Sequence, residues 1–164
     1  NTDFMPVMPT NLYGVNDNFD LETGHVLPAL LRKVHEAKTT GSDHLTIWGS
    51  GTPKREFLHV DDLASAVVLL AGMDGSHELV NIGSGAEVTI RELAQTLCEV
   101  VGFKGSLVFD HSKPDGTPRK LLDITRMTRL GWRPRITLRE GLKKTYTWFL
   151  QQSADPSSPP RVLT

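Results

Sequence analysis

Two glycine clusters give the first hint of chemistry. In "WGSGTPKREFLHVDD" the turn Gly49-Ser50-Gly51 is followed by Lys54 and Arg55, where a guanidinium could grip a phosphate through two parallel hydrogen bonds. The plain alternative is a glycine turn joining two strands, and spacing alone leaves both readings open. The second cluster, "GSGAEVT" at residues 83–89, lies between a strand pattern and a capped helix, which is the context of a dinucleotide loop. It lacks the third glycine and a well-placed acidic ribose partner at the end of a following parallel strand, so a tight strand-to-helix turn is the better account.

The six histidines are His25, His35, His44, His59, His77 and His111, and none stands at a metal-ligand spacing with carboxylates or with Cys98. No metal site is expected. His25 lies just before a helix start, at the exit of a polar loop. It reads either as a loop histidine that decorates the helix or as a proton donor or acceptor near neutral pH. The positive end of a helix disfavours imidazolium, so an acid role requires a compensating partner. Cys98 falls on an apolar helix stripe and reads as core rather than nucleophile. Trp48 is either core or a planar surface for a base or sugar, and Asp115 in "KPDG" is either a turn former or an acceptor for sugar hydroxyls.

These residues need elements to hold them. The opening "DFMPVMPTNLYG" predicts one short strand running into a Pro-Thr-Asn turn. Pro28 suits a first helical turn, and Leu27, Leu30, Leu31, Val34 and Ala37 recur at helical spacing, with Arg32, Lys33 and Lys38 opposite. "LTIWG" and "REFLHV" predict strands on either side of the first glycine turn. Asp61 is a candidate N-cap for "DLASAVVLLAG", a helix apolar nearly all round and therefore expected to be buried, with Gly72 ending it. "ELVNIGSG" predicts a strand, Thr89 and Glu92 form a capping box before the clearest helix, and "SLVFD" predicts another strand. "SKPDGTPRK" reads as a turn-rich loop, "ITRMTRLG" as a short helix stopped by Gly131, and Thr137 with Glu140 as a second capping box opening a helix to about Gln152. The Pro- and Ser-rich tail "SADPSSPPRVLT" is expected to be disordered.

Interleaved strands and helices without a fixed repeat indicate an α/β class. At 164 residues the chain can bury a real core. Lys and Arg total 18 against 19 Asp and Glu, a formal charge of −1, so no global field favours nucleic acid or an anionic membrane surface. One cysteine excludes an internal disulfide framework and fits a reducing compartment. No apolar run approaches the ~20 residues that span a bilayer, and the start has no signal-peptide pattern, so a cytoplasmic protein is expected.

In this order, "PTNLYG", "NDNF", "GHVLPALLRKVHEAK", "WGSGTPKREFLHVDDLA", "NIGSG" and "KPDGTPRKLLD" resemble the second half of a sugar-nucleotide epimerase-reductase of the extended short-chain dehydrogenase/reductase family. The likeness runs from residue 1 to about residue 152. It implies the last Rossmann strands plus a small α/β substrate-binding domain: residues 1–13 ending an NADP-binding domain, 14–152 a substrate-binding region with 55–83 packing back on the Rossmann sheet, and 153–164 a disordered tail. It also implies an NADP-dependent enzyme that epimerises two sugar carbons beside a ketone and then reduces that ketone. By position, Pro9, Thr10, Asn11 and Leu12 match the segment touching the nicotinamide side of the cofactor, and His25 matches the acid of epimerisation, also near the cofactor. Lys33, Trp48, Arg55 and Asp115 match positions that bind a GDP-sugar.

The family's glycine fingerprint, its Ser, its Tyr-x-x-x-Lys pair and its epimerisation cysteine have no match here. Tyr13 is followed four residues on by Asp17, and Tyr146 by Leu150. The resemblance therefore implies a C-terminal piece that is inactive alone, partnered by the N-terminal half of the same enzyme and homodimeric when intact. The alternatives are a non-catalytic sugar-nucleotide binding module and another NDP-sugar epimerase or dehydratase.

Overall fold

The computed structural model describes residues 4–73 and 78–153, so the tail expectation lies outside the described residues. The elements run β1 (Val7–Pro9), β2 (Asn11–Tyr13), α1 (Val26–Thr39), β3 (His44–Trp48), β4 (Lys54–His59), α2 (Val60–Ala71), β5 (Val80–Ile82), β6 (Glu87–Thr89), α3 (Ile90–Val101), β7 (Ser106–Asp110), β8 (Arg119–Lys120), α4 (Thr125–Arg129) and α5 (Leu138–Ser153). The α/β expectation holds.

The opening segment forms two strands rather than the one expected. β1 pairs in parallel with β5, Val7 opposite Val80, while β2 pairs in parallel with β4, Asn11 opposite Phe57. The chain changes sheets at Thr10, whose backbone amide is still held by Ile82 O at 2.9 Å. The two strands around the first glycine turn also part company. β3 pairs in parallel with β7, whereas β4 takes β6 in antiparallel fashion and β8 in parallel fashion beside Lys54 and Arg55. The loop "SKPDGTPRK" thus ends in a strand, and a strand stands between the second glycine cluster and its helix.

The clearest helix behaves as its sequence dictates. The Thr89 hydroxyl accepts from the Glu92 amide, the Glu92 carboxylate accepts from the Thr89 amide, and Gly102 closes α3 in the left-handed region. Leu93, Ala94, Leu97 and Val101 pack with Leu27, Leu31 and Val34 of α1 and Leu142 of α5 in the larger core. Cys98 packs against its edge, and burial pushes the thiol up, away from the reactive thiolate. The capping box of α5 forms as well, with Glu140 accepting from both the amide and the hydroxyl of Thr137.

Helix α2 corrects two expectations. It opens at Val60, and its N-cap is His59, whose Nδ1 accepts from the Asp61 amide at 3.2 Å, so Asp61 lies inside the first turn. The imidazole reaches that amide from two residues earlier and displaces the candidate cap. Nor is the helix buried all round: Ala66 and Leu70 join the smaller core with Leu58, Val80, Ile82 and Met127, but Val68 is 74% exposed. Its neighbours cover one face only.

Candidate functional site

Pro9, Thr10, Asn11, Leu12 and His25 line a single cleft of ≈ 750 Å³, together with Asp17, Val60 and Lys120–Leu122. The lining comes from β2 with its entry from β1, from the loop that carries Asp17 to His25, and from the chain leaving β8. His25 comes to the cleft as the N-cap of α1, with extended backbone (φ −65°, ψ 163°) and no side-chain capping bond. The loop that delivers it is tied internally. The Asp20 carboxylate accepts from the amides of Glu22 and Thr23 and from the Thr23 hydroxyl, and the Asn18 side chain donates to Thr23. A Cβ on Gly24 would stand 2.3 Å from Asp20 O, so the last step to His25 accepts no larger residue.

Sequence reasoning missed the residue that anchors this cleft. Glu56 is wholly buried in β4, and its backbone carbonyl accepts from Asn11 Nδ2 at 2.7 Å and from Thr10 Oγ1 at 3.3 Å. Its carboxylate accepts from the Gly85 amide at 2.6 Å and the Leu122 amide at 3.0 Å. The second glycine cluster therefore wraps a carboxylate of its own chain: a Cβ on Gly83 would stand 2.4 Å from Glu56 Oε1. Between Arg55 and Phe57 at the polar start of the strand, Glu56 carries no sequence signal of burial.

The first glycine cluster is also structural. Gly51 O and Pro53 O accept the Arg91 and Ile90 amides, each at 3.0 Å, so the turn itself occupies donors at the N-terminus of α3 that an anion would need. Gly49 and Gly51 take left-handed backbone (φ 79° and 75°), and a Cβ on either would stand 2.2 Å from Asp115 Oδ1 or 2.3 Å from the Phe109 ring.

Around this turn lie Lys33, Trp48, Arg55 and Asp115, outside the cleft lining but in one continuous strip. Trp48 is 65% exposed, so the core reading fails, and the ammonium groups of Lys33 and Lys113 stand 5.0 and 5.5 Å from its ring centre. Asp115 Oδ1 and Oδ2 accept from the amide and hydroxyl of Ser50, at 2.9 and 2.6 Å, and these bonds hold the carboxyl below its ordinary range. Arg55 donates through Nη1 to Lys54 O and Thr117 O, at 2.7 and 2.6 Å, which leaves Nε and Nη2 without an acceptor among the described residues. Arg55 also stands opposite Lys120 in the β4–β8 pairing, and Lys120 lines the cleft. The strip thus leads from Trp48 through Asp115 and Arg55 to the cleft.

The two tyrosines serve the core. Tyr13 is 1% exposed with its hydroxyl directed at Leu138 O, and burial raises its pKa, while Tyr146 bonds His35 at 3.1 Å. Among the described residues no group of His, Cys, Asp and Glu is placed to hold a metal ion, and no helix is long and apolar enough to cross a membrane.

Comparison with known proteins points one way. The family model described as "NAD dependent epimerase/dehydratase family" matches residues 1–83. The chain is 60% identical to "Putative GDP-L-fucose synthase 2" of Arabidopsis thaliana, over 88% of this chain and 44% of that protein. It is 54% identical to "GDP-L-fucose synthase" of Escherichia coli (strain K12), over 91% of this chain and 49% of that protein. A crystal structure of a GDP-L-fucose synthetase from Naegleria fowleri bound to NADP superposes with a TM-score of 0.86 at 34% identity, covering 92% of this chain and 47% of the other. The chain spans about half the length of the curated relatives it matches.

Proposed function

The chain belongs to the NAD dependent epimerase/dehydratase family, and from that premise we propose that it is the substrate-binding half of a GDP-L-fucose synthase. The whole enzyme would epimerise carbons 3 and 5 of GDP-4-keto-6-deoxy-D-mannose and reduce carbon 4, giving GDP-L-fucose. In this reading residues 1–13 end the NADP-binding domain, 14–152 form the substrate-binding region, and 55–83 pack back on the Rossmann sheet. The observation that carries it is the strip joining a cleft lined by Pro9–Leu12 and His25 to Arg55, Asp115, Trp48 and Lys33.

The cleft suits the nicotinamide end of NADPH. Leu12, Val15, Val60 and Leu122 supply apolar walls, and because the Thr10 and Asn11 side chains are held by Glu56, the polar groups this segment turns to a ring are those of its backbone. NADPH supplies the hydride for the ketone and is held mainly by the N-terminal half. This chain's own residues do the remaining work. The ketone makes the neighbouring C–H bonds acidic, and His25 exchanges protons at those carbons with a partner from the other half. The free Nε and Nη2 of Arg55, with the Lys33 ammonium, grip the diphosphate, while the Trp48 ring and the Asp115 carboxylate hold base or sugar. The complete enzyme is assigned to the cytoplasm as a homodimer.

The test joins this chain to its N-terminal half in one polypeptide and follows NADPH absorbance with the GDP-keto-sugar, identifying the product by NMR. Oxidation yielding GDP-L-fucose is expected, with none from the 164-residue chain alone. Preference for a UDP- or dTDP-keto-sugar would move the assignment to another NDP-sugar enzyme. Tight binding of GDP-sugars by the lone chain, with no turnover by the joined one, would favour a non-catalytic module.

A further inference from the structure

An acid placed at the start of a helix has an electrostatic problem. His25 is the N-cap of α1, where the free amides carry partial positive charge, and the first turn of α1 contains no acidic residue to offset it. A negative group from elsewhere in the fold would offset the charge of an imidazolium held there. Tyr13, Asp17, His25 and Lys120 are the titratable side chains lining the cleft, and Asp17 alone among them can supply negative charge near neutrality.

We propose that Asp17 is the positioning residue for His25, a carboxylate that holds the imidazolium in the cleft and orients it toward the substrate. The carboxyl is built for this. Its Oδ1 accepts from the Asn18 amide at 2.8 Å, whereas Oδ2 is buried with no hydrogen-bond partner among the described residues. A buried carboxylate oxygen left without a donor costs stability, so Oδ2 is an acceptor open to a ring N–H brought to it within the cleft. The loop between the two residues is fixed by the Asp20 and Asn18 bonds, and neither side chain is free to serve His25. Asp20 is engaged with Glu22 and Thr23, and Asn18 with Thr23. Of the other titratable groups lining the cleft, the Tyr13 hydroxyl faces Leu138 O, and Lys120 is a cation that cannot offset an imidazolium. Burial pushes the Asp17 carboxyl up from the usual carboxylate range, while the Asn18 amide, the His25 charge and, least, the Gly14 amide pull it back. His25 and Asp17 line the same cleft, and the His25 charge acts on the Asp17 carboxyl.

The inference rests on the proposed epimerisation. In that step a proton leaves one imidazolium nitrogen for the substrate carbon: the N–H bond breaks with its electron pair staying on the ring, and a C–H bond forms. Asp17 accepts a hydrogen bond from the ring and offsets the charge before transfer, without itself losing or gaining a proton.

Two measurements test it. In the 164-residue chain, the Asp17 carboxyl carbon is followed by 13C NMR through a pH titration, with and without His25→Gln. Removing the cation should raise the Asp17 midpoint by several tenths of a pH unit or more, and an unmoved midpoint would overturn the pairing. In the joined enzyme, Asp17→Asn should cut deuterium exchange at the carbons beside the ketone on the order of tenfold, a fraction of what a positioned acid supplies. Reduction of the already epimerised 4-keto-sugar should fall by a clearly smaller factor than exchange, and Asp17→Glu should recover part of the exchange. Equal loss of exchange and reduction would reduce Asp17 to a structural residue and defeat the proposal. If the joined wild-type enzyme ignores the GDP-keto-sugar, the proposed function fails, while the Asp17 titration still decides whether the pair exists.

Discussion

Replacing Glu56 by glutamine keeps the shape of a wholly buried side chain and changes one acceptor into a donor. In the native chain both carboxylate oxygens accept backbone amides, Gly85 at 2.6 Å and Leu122 at 3.0 Å. A glutamine can satisfy one of them. The other amide then faces an NH₂ group, so one charge-assisted bond worth about 1.5–3 kcal/mol disappears and buried donors stand unsatisfied at about 1–3 kcal/mol. We expect a net loss of about 3 kcal/mol, a large share of the roughly 5–15 kcal/mol that holds a domain folded. Urea unfolding of the 164-residue chain, followed by circular dichroism, reads this directly. With a slope of about 1–3 kcal/mol per molar, the midpoint should fall by about 1–3 M at unchanged slope. A fall of less than about 0.3 M would mean that the two oxygens do not both accept, and the account of the cleft wall would fail with it. The carbonyl that holds Thr10 and Asn11 is backbone and survives the substitution, so the loss belongs to the Gly85 and Leu122 side.

Three further outcomes are expected. Gly141→Ala improves helix propensity by about 1 kcal/mol, yet its methyl would stand 2.1 Å from the buried Tyr13 hydroxyl, and overpacking at about 1–3 kcal/mol should lower the melting temperature; an unchanged or higher value would show that Tyr13 yields freely. Burial lowers the pKa of His59 below its ordinary 6.5, so its neutral form contributes stability that is complete above about pH 6.5 and is lost as pH falls below it. His59→Asn keeps an N-cap side chain, and its urea midpoint should fall less than wild type between about pH 7.5 and 5; parallel curves would refute the assignment. In the joined enzyme, Arg55→Ala should raise the substrate KM far more than that of NADPH, whereas equal effects would return the residue to a structural role.

What the sequence made legible was local. Thr89 with Glu92 and Thr137 with Glu140 each sit three residues apart and settle their helix starts without outside help. Asp61 misled because the competing cap was a histidine, a weaker signal, placed so that its ring reaches the same amide. The division of residues 7–13 into β1 and β2 depends on partners at 80–82 and 57–59, which no local pattern reveals. Val68 looked buried because apolar composition says what a face prefers and not whether a neighbour covers it. The cleft group Pro9–Leu12 and His25 was named from resemblance, and the structure gathers it. Glu56 stayed hidden because it acts across the fold, toward residues 28 to 66 positions away, and Asp17 because the fold of its own loop, not its neighbours in sequence, brings it to the cleft with His25.

The turn at residues 49–53 has a bearing on how glycine- and cation-rich stretches are read. A loop that resembles a receptor for an anion can instead be the anion's substitute, a piece of main chain whose carbonyl oxygens sit where phosphate oxygens would. Such a loop is self-liganded. Its glycines report the closeness of Asp115 and Phe109, and its half-buried cation, Arg55, is directed past the turn rather than into it. Transplanting "GSGTPKR" into another scaffold would therefore carry over a plug for a helix end and no binding site.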